Sequence, residues 1–319
     1  MAEIPETVVI TEKRKRRWPP GIPQILALIL VLIIDSLVSD NFFSIQIREG
    51  RLFGSPIDIL NRAAPVAILS LGMTLVIATG GIDLSVGAVM AISGATAVSM
   101  MVAGHSLPVV IGVALLSGLI CGLWNGLLVA ILKIQPFVAT LILMVAGRGI
   151  AQLITQGQIV TFDNPSLAWL GSGAFAGLPV PVWMTLLIAL LTGLLVRKTA
   201  LGLFLEATGI NLRAARNAGV NGAVIVIVAY VISGLCAAVA GIIVAADIRA
   251  ADANNAGLWL ELDAILAVVI GGTALAGGRS NLVLSLVGAL IIQARPEPRP
   301  GGTVCRSRGA ALHYDKKST

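Results

Sequence analysis

The sequence predicts an all-α, polytopic helical membrane protein of about nine spans, and two observations carry that expectation. Of 319 residues, 57% are hydrophobic and only 12% charged, at a mean hydropathy of +0.94, whereas soluble domains carry about a quarter of their residues as charges. The apolar residues are also grouped into runs near the ~20 residues that a helix needs to cross a bilayer. These lie at roughly 22–39, 62–79, 84–103, 108–132, 137–155, 179–197, 222–246, 261–278 and 280–294. Each should be helical, because lipid offers no partner to open backbone groups. The chain then divides into a basic N-terminal tail over 1–21, a membrane domain over 22–293 and a polar tail over 294–319.

The first span fixes the orientation. The cluster Lys13-Arg14-Lys15-Arg16-Arg17 precedes it and predicts a cytoplasmic N-terminus by the positive-inside rule. Strict alternation then puts Lys133, Arg197, Lys198, Arg213, Arg216 and Arg279 on the cytoplasmic side. Arg48, Arg51 and Arg249 share outer loops with Glu49, Asp58, Asp247 and Asp252. A cleavable signal in the first forty residues is the other reading, but no small-residue cleavage site stands out and further spans follow directly. Trp169, Trp183 and Trp259 are expected near outer ends and Trp18 near an inner end, as in an aromatic belt. The net charge of +6 is thus a topology signal, and it gives no reason to expect nucleic acid.

Between the second and third runs stands Thr79-Gly80-Gly81-Ile82-Asp83-Leu84-Ser85-Val86-Gly87. Residues 63–82 and 84–132 carry no charge, so Asp83 is isolated in a very long apolar tract, where an acid is costly unless capped, paired or hydrated. It reads either as a helix N-cap at a membrane–water boundary, after a Gly80-Gly81 turn, or as a functional carboxylate, and the two are compatible. In the fourth run Gly118, Gly122 and Gly126 repeat on one face. Gly234, Ala237, Ala238 and Gly241 do the same in the seventh, which predicts close helix packing. Asp35, Asn125, Arg148, Gln152 and Asp263 are polar within spans. Each reads as a bond to a neighbouring helix, or jointly as a polar pathway. Amide side chains suit a neutral, hydroxyl-rich solute because they offer donors and acceptors without a charge. Asp83, Ser85, Asn125, Gln152 and Asp263 are the pathway candidates.

The longest inner loop, 197–221, predicts a short helix capped by Asn211 and ended by Gly219, with Leu212 and Ala215 on one face and Arg213 and Arg216 on another. Such a helix is a docking element or a passive linker. Cys121, Cys236 and Cys305 form neither a disulfide framework nor a metal spacing. No Gly-Lys dipeptide occurs, hence no Walker A loop for nucleotide phosphates, and no nucleophile–base or metal constellation points to an enzyme or a bound cofactor.

Three motifs together carry a resemblance: Gly80-Gly81-Ile82-Asp83-Leu84-Ser85-Val86-Gly87, the loop over 206–220, and Gly271-Gly272-Thr273-Ala274-Leu275-Ala276-Gly277-Gly278-Arg279. In order and spacing the chain resembles, almost to Gln293, the inner-membrane permeases of bacterial ABC importers of the ribose/xylose/galactose type. Residues 57–65, 134–146 and 245–270 are especially similar to permeases of galactofuranose importers. The resemblance implies a ten-helix permease subunit that pairs with a second permease, homo- or heterodimerically. Its other partners would be a cytoplasmic ABC ATPase, which alone uses ATP, and a periplasmic sugar-binding protein. It implies that Glu206, Gly209, Asn211, Ala215 and Gly219 form the ATPase-coupling element. The expected activity is alternating access. The binding protein docks on outer loops 40–61, 156–178 and 247–260, and the bundle flexes at Gly80, Gly81, Gly277 and Gly278, which join adjacent spans on the inner side. An ion-coupled secondary sugar transporter is the alternative, though its usual in-membrane carboxylates are here only Asp35, Asp83 and Asp263. A passive channel or structural subunit would leave the 206–219 element without a partner.

The resemblance ends at Gln293. The tail from Ala294 carries a Pro-rich, basic stretch that cannot span a bilayer, and by parity it falls on the outer face, against the positive-inside trend. A tenth span is expected there from the family, so the tail reads as an aberrant, disordered segment following loss of the reading frame, with a genuine variant tail as the other reading.

Overall fold

A computed structural model describes residues 21–38, 42–44, 46–48 and 51–294. The basic cluster at 13–17, Trp18, Glu49, Cys305 and the tail beyond residue 294 lie outside the described residues. Within them the helices are α1 (Ile22–Val38), α2 (Ser55–Ala78), α3 (Val86–Val102), α4 (Leu107–Ala130), α5 (Pro136–Ile154), α6 (Pro165–Ser172), α7 (Val180–Lys198), α8 (Leu201–Ile210), α9 (Leu212–Asn217), α10 (Gly222–Ile248), α11 (Leu260–Ile270) and α12 (Leu282–Gln293). A helix stands at every predicted apolar run; α6, α8 and α9 come from the loops between runs. Strand pairing among the described residues is confined to three short two-stranded ladders in the connections.

α2 is the axis of the bundle. It begins with Pro56 in its first turn, where the missing N–H costs nothing, and carries Asp58 there, favourable to the helix dipole. From Val66 to Ala78 every residue is buried, as expected of a helix apolar on all sides. In its most apolar window 78% is buried, against 28%, 28% and 22% for α4, α5 and α7. These three are therefore peripheral, and their bare Leu, Ile and Val faces suit lipid or another membrane subunit.

The predicted small-residue packing is present between α4 and α10. A Cβ built on Gly118 would stand 2.5 Å from the Gly234 carbonyl oxygen, one on Gly122 2.5 Å from that of Tyr230, and one on Gly126 2.9 Å from Ile227 Cα. The two backbones touch, so only glycine fits along this seam.

Depth in the bundle follows from α10. Ser233 lies eleven residues after its start and fifteen before its end, or ~16 Å and ~22 Å along the axis at 1.5 Å per residue. Ser233 Oγ donates to Asp83 Oδ2 at 2.9 Å, so Asp83 sits near mid-bundle. This corrects the boundary-cap reading of Asp83. The break 79–85 climbs back from the end of α2 into the interior, α3 begins there, and its N-cap is Ser85 rather than Asp83.

The eighth and ninth runs and the connection before them also differ from expectation. α11 stops at Ile270 instead of running to residue 278. Gly271 is pressed against Ser285 N, 2.7 Å from an added Cβ, and Gly272 has φ +86, so the chain turns there. At 11 and 12 residues, α11 and α12 cover only ~16–18 Å of a ~30 Å hydrocarbon core. α11 instead starts deep. After α10 the chain reverses at left-handed Arg249 (φ 53), and Gly257 reaches Gly87, the second residue of α3, so closely that a Cβ on Gly87 would lie 2.4 Å from Gly257 O. The 250–259 segment thus dips roughly 15 Å below the end of α10. Part of the expected outer loop 247–260 is therefore re-entrant, and exposed Trp259, at the start of α11, stands at the depth of that dip rather than in an outer belt.

Candidate functional site

The central feature is the α2–α3 break and the side chains that hold it. Asp83 Oδ1 accepts from Ser85 N at 3.0 Å and from Ser85 Oγ at 2.6 Å, and Oδ2 accepts from Ser233 Oγ. Asn125 Nδ2 of α4 donates to Ser85 Oγ at 2.8 Å. The neighbouring carbonyl of Ile82 accepts from Tyr230 of α10 at 3.2 Å and from Thr140 of α5 at 3.4 Å. Helices α4, α5 and α10 thereby supply the partners that an irregular backbone at this depth requires. Asp83, Ser85, Asn125 and Ser233 are all buried, so the network is sealed. Sequence reading found Asp83, Ser85 and Asn125. It missed Ser233 and Tyr230, which sit among the small residues of α10 and were given no role.

The remaining pathway candidates lie elsewhere. Gln152, in the last turn of α5, donates from Nε2 to Asn254 Oδ1 at 2.7 Å. Asp263, in the first turn of α11, accepts from Gln293 Nε2 at 3.4 Å. Gln293 and Leu260 help line a cavity of about 270 Å³ together with Asn61, Arg62 and Asp247. A second hollow of about 180 Å³ adjoins it toward Arg51 and Asp58. Of the other in-span polar residues, Asp35 of α1 lies within the electrostatic reach of Arg62. Arg148 donates to the carbonyls of Ala253 and Ala256. The five candidates therefore divide into a sealed centre, a re-entrant loop contact and, for Asp263, a bond to Gln293 on the wall of the larger cavity.

At the end of the bundle where α2 stops, the residues expected as hinge and coupling element meet. Gly209 in the last turn of α8 is wedged between the end of α2 and the α11–α12 connection: an added Cβ would stand 1.9 Å from Ala78 O and 2.7 Å from Gly278 N. Gly278 N donates to Ala78 O at 3.0 Å. Gly277 (φ +87) approaches Gly80 so that a Cβ would lie 2.9 Å from its nitrogen and 3.1 Å from Gly209 O. Glu206 Oε1 accepts from Ser280 N at 3.1 Å. Gly80, Gly277, Gly278, Gly209 and Glu206 thus form one junction, with Gly81 packed against Tyr230 beside it. Asn211, Ala215 and Gly219 shape α9. Asn211 Oδ1 accepts from Arg213 N and Ala214 N at 3.0 and 3.1 Å, Ala215 is buried, and Gly219 (φ +84) ends the turn. Leu212, which the sequence puts on the same face as Ala215, is about half exposed, at 48%.

Comparison with known proteins agrees with this architecture. No solved structure matches the chain. The chain is 70% identical over 290 residues to the galactofuranose transporter permease protein YtfT of Escherichia coli, covering 91% of this chain and 84% of that one. It is 43% identical over 274 residues to the fructose import permease protein FruF of Bifidobacterium longum, covering 84% and 77%. It is 39% identical over 281 residues to the ribose import permease protein RbsC of Escherichia coli, covering 87% and 85%. The family model described as "Branched-chain amino acid transport system / permease component" matches residues 55–295, from the first turn of α2 to just past α12, and the chain belongs to that permease family.

Proposed function

We propose that this chain is the membrane-spanning subunit of an ATP-driven importer of a monosaccharide, with galactofuranose the first sugar to test. The carrying observation is the extended 70% identity to a galactofuranose permease, and fructose and ribose permeases among the relatives keep the substrate class at monosaccharides. The inner junction supports the division of labour. α8 touches both the end of α2 and the α11–α12 connection through Gly209, so a push on the 197–221 loop reaches the central break without crossing flexible chain. α9 presents exposed Arg213 and Arg216 beside it, a surface suited to a cytoplasmic ATPase that would bind and hydrolyse the nucleotide, while a periplasmic binding protein and a second permease complete the assembly. Lys133, Arg197, Lys198, Arg213, Arg216 and Arg279 gather at the junction end, which supports a cytoplasmic assignment for it and for the N-terminus in a bacterial inner membrane. Transport is then a two-state rearrangement biased from both ends.

The test is uptake by proteoliposomes holding this chain with its ATPase and binding-protein partners. Labelled galactose, which contains a furanose fraction in solution, is run beside ribose and fructose. Sugar accumulation that requires both ATP and the binding protein is expected. Accumulation driven by a proton or sodium gradient without the ATPase would replace this reading with the secondary transporter.

A further inference from the structure

The outer half of α5 and the re-entrant 250–259 segment form a face that lipid cannot cover. Gly257 lies against Gly87, so the loop stands deep in the bundle. Irregular backbone at that depth is tolerated only where protein or a water-filled cavity meets it. Yet Gln152, Asn254 and Asn255 are exposed, and Trp259 is 70% exposed with left-handed φ 67, a conformation that bulky residues adopt only where their surroundings impose it. Half-buried Arg148 ties this loop to α5 through the Ala253 and Ala256 carbonyls, and Asn255 is held by Asp252, Nδ2 to Oδ2 at 2.8 Å. The Arg148 charge is answered by the Asp252 and Glu261 carboxylates around it. The face is therefore polar without carrying a net positive charge to trap or repel a solute.

We propose that this face is the water-lined wall along which the sugar passes, with Gln152, Asn254 and Asn255 exchanging hydrogen bonds with its hydroxyls and the Trp259 ring covering its C–H side. The assignment rests on the importer reading above. The Gln152–Asn254 bond uses one atom of each amide, and each amide has a further group able to donate or accept, as a neutral polyol requires. The cavity beside Gln293 lacks this footing: Arg62 and Asp247 put charged groups on its wall.

The experiment uses the full chain in its assembled transporter. Gln152→Cys, Asn254→Cys and Asn255→Cys are each treated with a membrane-impermeant trimethylammonium-ethyl methanethiosulfonate. Leu190→Cys on the bare apolar side of α7 serves as the lipid-facing control, and the parent chain sets the background from Cys121, Cys236 and Cys305. Labelling at the three loop and α5 positions but not at Leu190→Cys is expected. In parallel, Asn254→Leu and Asn255→Leu should lower ATP-driven sugar uptake about tenfold, the equivalent of ~1.4 kcal/mol, the scale of one hydrogen bond. Absence of labelling would mean that protein covers the face and would overturn the proposal. Labelling with unchanged uptake in both leucine variants would show a wet wall that the sugar does not touch, and would overturn it equally. A parent assembly that carries none of the sugars refutes the importer reading and with it the sugar contact, while the labelling separately decides whether the wall is wet.

Discussion

Gly209→Ala tests whether the junction of α8 with the end of α2 transmits force. The added methyl carbon would stand 1.9 Å from Ala78 O, where ordinary contact begins near 3.4 Å, so α8 must retreat by about 1.5 Å from the end of α2. Both neighbours are backbone and cannot swing away. The retreat overpacks the site, worth ~1–3 kcal/mol, and disturbs the 3.0 Å bond from Gly278 N to Ala78 O, worth ~1 kcal/mol. A total of about 2–4 kcal/mol follows, and the melting midpoint of the detergent-solubilised chain should fall by roughly 5–10 °C. The functional consequence is larger in ratio than in stability: sugar transported per ATP hydrolysed should drop, because the coupling loop no longer grips α2 and the α11–α12 connection together. Gly193→Ala in α7, where an added Cβ meets nothing within 4 Å, is the control and should match or slightly exceed the parent in stability. Gly209→Ala that melts with the parent and keeps its transport-to-hydrolysis ratio would refute the reasoning.

Other outcomes follow from the same geometry. Asp83→Ala strands Ser85 N, Ser85 Oγ and Ser233 Oγ inside the bundle, at ~1–3 kcal/mol per unsatisfied donor. It should lower the melting midpoint well beyond Asp83→Asn, which keeps shape and one acceptor, and equal midpoints would count against the network. Gly122→Leu would drive a side chain into the Tyr230 carbonyl, 2.5 Å from its first carbon. The α4–α10 seam should open, seen as loss of the monodisperse peak on size exclusion, and a normal elution profile would contradict the seam. Translating the other two frames downstream of the Gln293 codon should return an apolar run of ~20 residues if the reading frame is lost there; no such run in either frame would favour a genuine variant tail.

How far the sequence could be read depended on which interactions were local. The apolar runs located nine helices because a long apolar stretch is helical whether protein surrounds it, as around α2, or lipid does. The α9 cap was legible because Asn211 bonds backbone only two and three residues ahead. Asp83 was found through its isolation, but its depth was not, since that is set by Ser233, 150 residues further on. The end of α11 escaped because residues 271–278 are apolar enough to extend a span, and only the contact of Gly271 with α12 forbids it. The dip of 250–259 was hidden for the same reason: it depends on Gly257 meeting Gly87, and two glycines announce nothing about each other in a linear reading.

The glycine seam between α4 and α10 has a mechanical meaning. Two helices in backbone contact at Gly118, Gly122 and Gly126 cannot slide or roll against each other without forcing atoms together, so they behave as one stiff slab. That slab carries Asn125 on one helix and Ser233 and Tyr230 on the other, and so it holds the central break as a fixed fulcrum. Outside the slab, short α11 and α12 pack on α2 instead, through a buried cluster of Val66, Ala67, Ala267, Ala289 and Ile292. Backbone contact on one side and side-chain contact on the other thus give the two halves of the bundle different stiffness.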